Sequence, residues 1–136
     1  MAYWIIPCNP RLYDVYGAFR SLQVIDWRQT VKRIEQGDTV YVYMGSPVKS
    51  VTHKCVVLET DIPMESVDFS DDPFDLVKDE DAASEQRHWK YMRLQMVKEF
   101  EPGDISFETL KRYGLKGSIQ GQRRIDSPVI QMLSEY

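Results

Sequence analysis

A tryptophan followed at once by an arginine and a glutamine is the feature of this sequence best suited to molecular recognition. Trp27 offers a flat ring, and Arg28 and Gln29 place hydrogen-bonding groups beside it. Stacking of one base on an aromatic side chain contributes roughly 1–3 kcal/mol, and polar neighbours can bind the base edge. The triplet is therefore predicted to hold a base turned out of its stack. The alternative interpretation is that Trp27 only packs beneath a loop.

The other aromatic residues divide into core residues and further candidates for the pocket. Trp4 lies in an apolar run and is predicted to be structural. Tyr43 lies on the strand face opposite the neighbouring valines, and Gly45 and Ser46 follow it closely enough to bring backbone amides near a ligand. Trp89 opens a later strand and is a third candidate ring.

Basic residues form two groups of the kind that contact phosphates. One group surrounds the late strand, and the other lies towards the carboxyl end in a loop flanked by glycines. Within the second group we predict phosphate binding by Lys116, Arg123 and Arg124. Gln120 and Gln122 are neighbouring polar side chains that could add hydrogen bonds. The remaining members of the two groups are Arg87, Lys90, Arg93, Lys98, Lys111 and Arg112.

Sequence motifs for catalysis or for a cofactor are not found. There is no glycine-rich phosphate loop, nucleophile elbow or paired metal-ligand motif, so we predict no catalytic residue, no metal and no cofactor. His53 and Cys55 share one face of a predicted strand, but about 6–7 Å separates such positions, which is beyond hydrogen-bond reach. His88 is expected to be a surface or packing residue. Cys8 and Cys55 have neither disulfide nor metal-ligand spacing, which favours a reducing compartment.

The charge of the chain is unevenly distributed. A formal net charge of −4 argues by itself against nucleic acid, because phosphate binding depends on Lys and Arg. Residues 59–85, however, hold eleven of the 21 acidic groups and a single base, Lys78, so this stretch carries −10 and the remainder carries +6. The acidic stretch is interpreted as a solvated loop, with a mimic of nucleic acid or a gate on the site as the alternatives.

A chain of 136 residues that is 43% hydrophobic fits one domain, predicted to span 1–136 with an acidic loop at about 61–86. Period-two patterns predict strands at 3–6, 39–44, 51–60 and 88–100. Capping signals predict helices near 12–22, from Asp26 to Gly37, after Ser106 and after Ser127, with a loop at 117–124. The start of the chain offers no signal peptide or membrane span, so a cytoplasmic protein is expected.

Strands interrupted by short helices, without a repeated βαβ spacing, favour a mixed sheet curled into a small barrel. Several segments, in their order along the chain, also resemble the EVE domain, which belongs with PUA, YTH and ASCH domains to the PUA-like superfamily. These segments are Tyr3-Trp4-Ile5-Ile6, Asn9-Pro10, Ile25-Asp26-Trp27-Arg28-Gln29, Gly37-Asp38-Thr39-Val40-Tyr41-Val42-Tyr43, and Trp89.

The resemblance implies an α+β fold, a PUA-like curled mixed β-sheet or pseudo-barrel with flanking short helices. It also implies a reader of modified bases in DNA or RNA. Asn9-Pro10 matches the polar segment after the first strand, Trp27 the family tryptophan and Tyr43 the aromatic residue that ends the third segment; Ser46 and Trp89 are further matches. Met44 departs from the pattern, because many relatives have histidine there.

Three functional hypotheses follow. The first is a non-catalytic module that binds a modified nucleobase in DNA or RNA through an aromatic pocket. The alternative is a protein-interaction or regulatory module that docks onto a basic partner through the acidic loop. An enzyme acting on modified nucleotides is third, because no nucleophile–base pair is found in the sequence.

Overall fold

In the described residues, 1–76 and 89–136 of a computed structural model, six strands form a single mixed sheet. The strand order across the sheet is β2-β5-β4-β3-β1-β6. Strands β1 and β3 pair in parallel, and every other neighbouring pair is antiparallel. The strands are β1 (Tyr3–Cys8), β2 (Val24–Gln29), β3 (Thr39–Met44), β4 (Ser50–Pro63), β5 (Lys90–Glu99) and β6 (Arg123–Ile125).

Short helices cover the sheet, and local capping interactions define where they begin. They are α1 (Val15–Leu22), α2 (Phe107–Arg112) and α3 (Val129–Leu133). The side chain of Asp14 accepts a hydrogen bond from the Gly17 amide at the start of α1, and that of Ser106 accepts one from the Thr109 amide in α2. No helix among the described residues is long and apolar enough to cross a membrane.

Alternation along β1 and β3 produces two hydrophobic cores, one on each face of the sheet. Trp4, Val40 and Val42 belong to the first core, which α1 covers with Val15 and Phe19. The intervening residues of the same strands belong to the second core, which α2 and α3 cover; its members include Ile5, Tyr41, Tyr43, Leu110 and Leu133. Successive residues of β1 and β3 point to opposite faces of the sheet, and both of these faces are buried.

A side-chain amide links the two ends of the curled sheet. Gln122, which directly precedes β6, donates from Nε2 to the Arg28 carbonyl at 2.7 Å and accepts from the Thr30 amide at 2.9 Å. These two bonds join the last strand in the sheet order to β2, the first. The Gln122 side chain thus bonds to one backbone carbonyl and one backbone amide, as a paired strand does between the other strands of the sheet.

The structure confirms the four predicted strands and the helices after Ser106 and Ser127, and it places α1 at the predicted position with a later start. Asn9 stabilises a turn through Arg11, whereas Asp14 caps α1. The loop prediction for 117–124 is wrong at its end, which forms β6. The acidic loop predicted at 61–86 begins later, because β4 extends to residue 63. Residues 77–86 of that prediction, like Arg87 and His88, lie outside the described residues.

The helix predicted from Asp26 to Gly37 is wrong, because residues 24–29 form strand β2. The sequence resembles a capping box, but Asp26 binds the guanidinium of Arg93 on the adjacent strand instead of a local amide. Gln29 likewise donates to the Val31 carbonyl and accepts from the Asp61 amide. Pairing with β5 thus overrides a local helix signal.

Trp4 is buried in the first core, as predicted, and its indole is bound by a buried carboxylate. Asp38 accepts hydrogen bonds from the Trp4 indole at 2.9 Å, the Ala2 amide at 3.0 Å and the Glu35 amide at 2.9 Å. Burial alone would raise the pKa of Asp38, but these bonds lower it below its usual value. The buried carboxylate of Asp38 therefore has hydrogen-bond donors that stabilise its charged form.

The buried imidazole of His53 should make the stability of the protein sensitive to acid. Burial lowers its pKa to about 4, although Glu99 nearby opposes the shift. In the unfolded chain the ring titrates near its usual value, so between about pH 6.5 and 4 only the unfolded state gains a proton. The free energy of unfolding should then fall as the pH falls through this window, by an amount on the order of 3 kcal/mol.

Chemical denaturation of the wild type and of His53→Gln at pH 7 and at pH 4.5 measures this effect. The variant should lose distinctly less stability between the two pH values, because glutamine does not titrate. Equal losses in the two proteins would contradict this role of His53.

Candidate functional site

A cavity of about 280 Å³ opens where β2 meets the start of β5. Its walls combine aromatic rings with carboxylates. The lining residues are Tyr13, Asp26, Trp27, Arg28, Phe69, Asp71, Asp72, Asp75, Trp89 and Tyr91. The volume lies just below the range of roughly 300–1,000 Å³ that is usual for drug-sized ligands, so the cavity has the size for one flat heterocycle.

Aromatic rings approach this cavity from several directions. Tyr13 and Trp27 meet edge to face, with ring centroids 5.6 Å apart and an interplanar angle of 72°. Phe69 and Tyr91 form a second such pair at 6.3 Å and 82°. The Trp89 ring carries the guanidinium of Arg28, whose central carbon lies 3.6 Å from the ring centroid. Flat ligands and cations are the species that such rings attract.

An ion pair between a buried carboxylate and a partly exposed guanidinium fixes the strand that carries Trp27. Arg93 on β5 donates to Asp26 on β2 from Nε and Nη2 of its guanidinium, at 2.8 and 3.0 Å. Asp26 also accepts a hydrogen bond from the Asp68 amide at 2.9 Å. The side chain of Asp26 is 1% exposed. This carboxylate therefore joins both strands to the segment that covers them.

The segment from residue 67 to residue 76 covers one side of the cavity. The Tyr13 hydroxyl donates to Asp71 at 2.6 Å. Backbone bonds run from the Asp14 amide to the Phe74 carbonyl and from the Leu76 amide to the Leu12 carbonyl, at 2.8 and 2.9 Å. The described part of the acidic stretch is thus packed against its own domain, and its rings and carboxylates become cavity wall.

The described wall of the cavity carries more acidic than basic side chains. Four carboxylates and one guanidinium line it, and Arg93 compensates Asp26 from outside. Burial raises the pKa of Asp71, against the lowering effect of the hydrogen bond from Tyr13. The pKa of Tyr13 is raised by its burial and by Asp71, so its hydroxyl remains a donor.

The predicted base-binding residues fall into four places. Trp27, Arg28 and Trp89 meet in the cavity, whereas Gln29 lies behind it, with both ends of its side-chain amide bonded to backbone. Tyr43 is buried in the second core, 6.0 Å from the Phe107 ring. The four remaining candidates line a separate surface depression of about 400 Å³; they are Asn9, Pro10, Gly45 and Ser46.

The predicted phosphate-binding residues also meet. Lys116, Arg123 and Arg124 line a second cavity of about 330 Å³. Arg123 donates to the Lys116 carbonyl at 2.7 Å and so shapes the loop, while Arg124 is exposed, 3.9 Å from Asp126. One hydrogen bond links the two cavities, because Gln122, which directly precedes Arg123, donates to the carbonyl of Arg28.

Sequence reasoning missed the part of the cavity that comes from Tyr13 and from residues 67–76. The acidic stretch contains Phe69 and Phe74. Bulky rings have no role in a solvated acidic loop, so their presence was the available signal that the stretch is partly packed. Tyr13 had no such signal, because its partner Asp71 is 58 residues away.

The side chains most suited to nucleophilic chemistry lie away from this cavity. Cys8 and Cys55 are buried in the first core, and burial raises the pKa of both thiols, to about 12 for Cys8. His53 is packed between the rings of Tyr16 and Phe19. Within residues 1–76 and 89–136, no group of three or more His, Cys, Asp or Glu side chains is placed to hold a metal ion.

Comparison with solved structures defines the fold. An ASCH protein from Zymomonas mobilis is similar over 98% of this chain and 94% of its own, with a TM-score of 0.65 and 13% identity. A Pseudomonas putida protein matches over 98% of both chains, with a TM-score of 0.67 and 16% identity. Human THYN1, solved in complex with 5-methylcytosine-containing DNA, matches over 99% of this chain and 96% of its own, with a TM-score of 0.64 and 11% identity.

No family model and no curated protein matches the sequence itself. The structural likeness confirms the predicted α+β fold, a curled mixed sheet with short helices, and confirms the resemblance to EVE and ASCH domains at the level of the fold.

The Asp26–Arg93 pair should be a principal determinant of stability around the cavity. Arg93→Ala leaves a buried carboxylate unpaired and should lower the free energy of unfolding by about 3–5 kcal/mol. Arg20→Ala is the matched control, because its ion pair with Glu99 is exposed and should contribute less than about 1 kcal/mol. Urea denaturation of both variants measures the difference. Similar losses in the two would show that the pair does not anchor β2.

Proposed function

We propose that this chain, which has the PUA-like fold of ASCH proteins and human THYN1, is a nucleic-acid-binding module that holds one modified base in its aromatic cavity. The unpaired base enters between the rings of Trp27 and Trp89. The protein binds the base and does not transform it. Its partner is a strand of DNA or RNA that carries the modification.

The observation that carries this proposal is the convergence of Trp27, Arg28 and Trp89 on a cavity of about 280 Å³. Trp27 and Arg28 lie in β2, which pairs with β5, and Trp89 directly precedes β5. Rings fixed in this way bind a planar ligand without paying much side-chain entropy. Arg28 is exposed and can approach either the base edge or the strand that enters the cavity.

Basic residues near the cavity support a polymeric ligand. Lys116, Arg123 and Arg124 line a second cavity next to Gln122, and Gln122 is bonded to the backbone of Arg28. A strand whose base occupies the aromatic cavity can therefore place its phosphates near these cations. Such contacts contribute affinity without sequence preference.

The human THYN1 complex supports the nature of the ligand. That protein shares this fold and was solved with DNA containing 5-methylcytosine. An aromatic cavity of the size found here suits the same class of guest. The aromatic walls of the cavity and the shared fold therefore both support binding of a modified base.

The absence of a chemical step is part of the proposal. The thiols and His53 lie in the core, and the cavity itself offers carboxylates, hydroxyls and rings. Incubation with modified nucleotides and divalent ions, followed by product analysis, tests for turnover. A product formed at a catalytic rate would replace the binding module with an enzyme.

Docking of a basic protein through the acidic stretch is the second candidate function. Asp71 is bonded to Tyr13, and Asp26 holds the Asp68 amide, so the described part of the stretch has partners within the domain. These contacts favour a role in the cavity wall over a role as a free docking segment.

Removal of one cavity ring should abolish discrimination between modified and plain bases. Trp89→Ala removes a ring that belongs to neither core, so we expect the affinity for a modified oligonucleotide to fall about 5- to 100-fold. Fluorescence anisotropy with single-stranded oligonucleotides that carry 5-methylcytosine, N6-methyladenine or no modification measures the effect. Trp27→Ala should act in the same way.

Arg124→Ala is the matched control, because it should weaken binding of modified and plain strands alike and reduce the salt dependence. Trp27→Phe keeps a stacking ring and should retain most of the discrimination. Equal and negligible affinity of the wild type for every oligonucleotide at low salt would refute the proposal.

A further inference from the structure

The walls of the aromatic cavity carry more negative charge than recognition of a neutral base requires. Among the described residues, Asp71 and Asp72 line it with one cation, Arg28, while the charge of Asp26 is compensated by Arg93. Carboxylates accept hydrogen bonds only and repel phosphate. The negative charge of the cavity wall is therefore unfavourable for the phosphates of a nucleic acid. It would, however, attract a guest that is itself positively charged.

We propose that the cavity selects bases that are cationic at neutral pH, namely bases methylated on a ring nitrogen such as 1-methyladenine and 3-methylcytosine. This inference rests on the proposed function and specifies its ligand. Methylation at these positions makes the heterocycle a flat, delocalised cation at neutral pH. The same methyl group on carbon 5 of cytosine or on the exocyclic nitrogen of adenine leaves the base neutral.

Arg28 shows what kind of group the rings accept. Its guanidinium is a planar, delocalised cation, and it lies over the face of Trp89 at 3.6 Å. A cation over an indole is among the most favourable of such contacts, and the attraction grows when water is excluded. A charged heterocycle has the same flat shape and the same kind of charge. Because Arg28 is exposed, it can move aside and leave the Trp89 face to the ligand.

The remaining rings complete a cage around that position. Tyr13 stands at 72° to Trp27, and Phe69 stands at 82° to Tyr91, so ring faces and edges point in different directions. Cages of this kind recognise methylated cations through the negative faces of the rings. The Tyr13 hydroxyl also holds Asp71 in place at 2.6 Å, which keeps one carboxylate at the wall of the cage.

Burial adds to the preference for a cation. Asp71 is partly desolvated, and burial raises its pKa. A positive guest compensates the desolvated carboxylate, whereas a neutral guest desolvates it further. Charge on the base is thus favoured by the acids as well as by the rings.

Isomeric pairs of methylated bases test the inference, because the members of each pair have the same heavy atoms and differ in the position of the methyl group and in one bound proton, and hence in charge. Single-stranded oligonucleotides with 1-methyladenine and N6-methyladenine form one pair, and those with 3-methylcytosine and 5-methylcytosine form the other. Single strands remove any effect of methylation on base pairing. We expect the charged isomer of each pair to bind the full-length protein at least tenfold more tightly by fluorescence anisotropy.

Neutralisation of one cavity carboxylate should reduce this preference. Asp72→Asn keeps the shape of an exposed side chain and removes its charge. The affinity of the protein for the charged isomer should therefore fall several-fold, while its affinity for the neutral isomer should change less. Glu108→Gln is the matched control, because Glu108 is an exposed carboxylate of α2 outside the cavity and should change neither affinity.

The outcomes separate this inference from the proposed function. Equal binding of the two isomers, or tighter binding of the neutral one, overturns the charge preference and leaves a reader of modified bases. Failure of every oligonucleotide to bind overturns both. A trimethyllysine peptide is the second cationic probe, and if it binds more tightly than any oligonucleotide, the assignment to a base is overturned.

Discussion

The ion pair between Asp26 and Arg93 is the interaction on which the geometry of the cavity depends. Strand β2 lies at one end of the sheet order and has a paired strand on one side only. Asp26 joins it to β5 through Arg93 and to the covering segment through the Asp68 amide. A desolvated carboxylate with three such bonds tolerates little movement. The ring of Trp27 is therefore held by the residue beside it.

Charge in this protein is divided between two surfaces. The carboxylates of residues 71–75 stand at the aromatic cavity, and Lys116, Arg123 and Arg124 stand at the basic cavity. Gln122 connects the two, because it bonds to the backbone of Arg28 and precedes Arg123. A net charge of −4 thus describes neither surface. A ligand with a positive end and a negative backbone would meet complementary charge on each.

Much of the fold could be predicted, because its signals are local. Alternation along β1 and β3 assigns Trp4 and Tyr41 to opposite faces without any knowledge of partners. The strand around Trp27 could not be predicted, since its local pattern imitates a helix start and pairing with β5 decides the outcome. Residue type selected Trp27 and Arg28 for the pocket and the family resemblance added Trp89, but the same reasoning also selected Tyr43, which lies in the second core. The contribution of Tyr13 could not be predicted, because it arises from a contact across 58 residues.

The two components of the cavity wall have separate origins in the chain. Trp27, Trp89 and Tyr91 belong to paired strands or directly precede one, whereas Asp71 and Asp72 belong to the covering segment. Substitutions in that segment alter the charge presented to a ligand without disturbing the register of the sheet. The charge of the wall can therefore change while the rings of Trp27, Trp89 and Tyr91 stay where they are, because the charge is encoded in a connection and these rings within or beside strands.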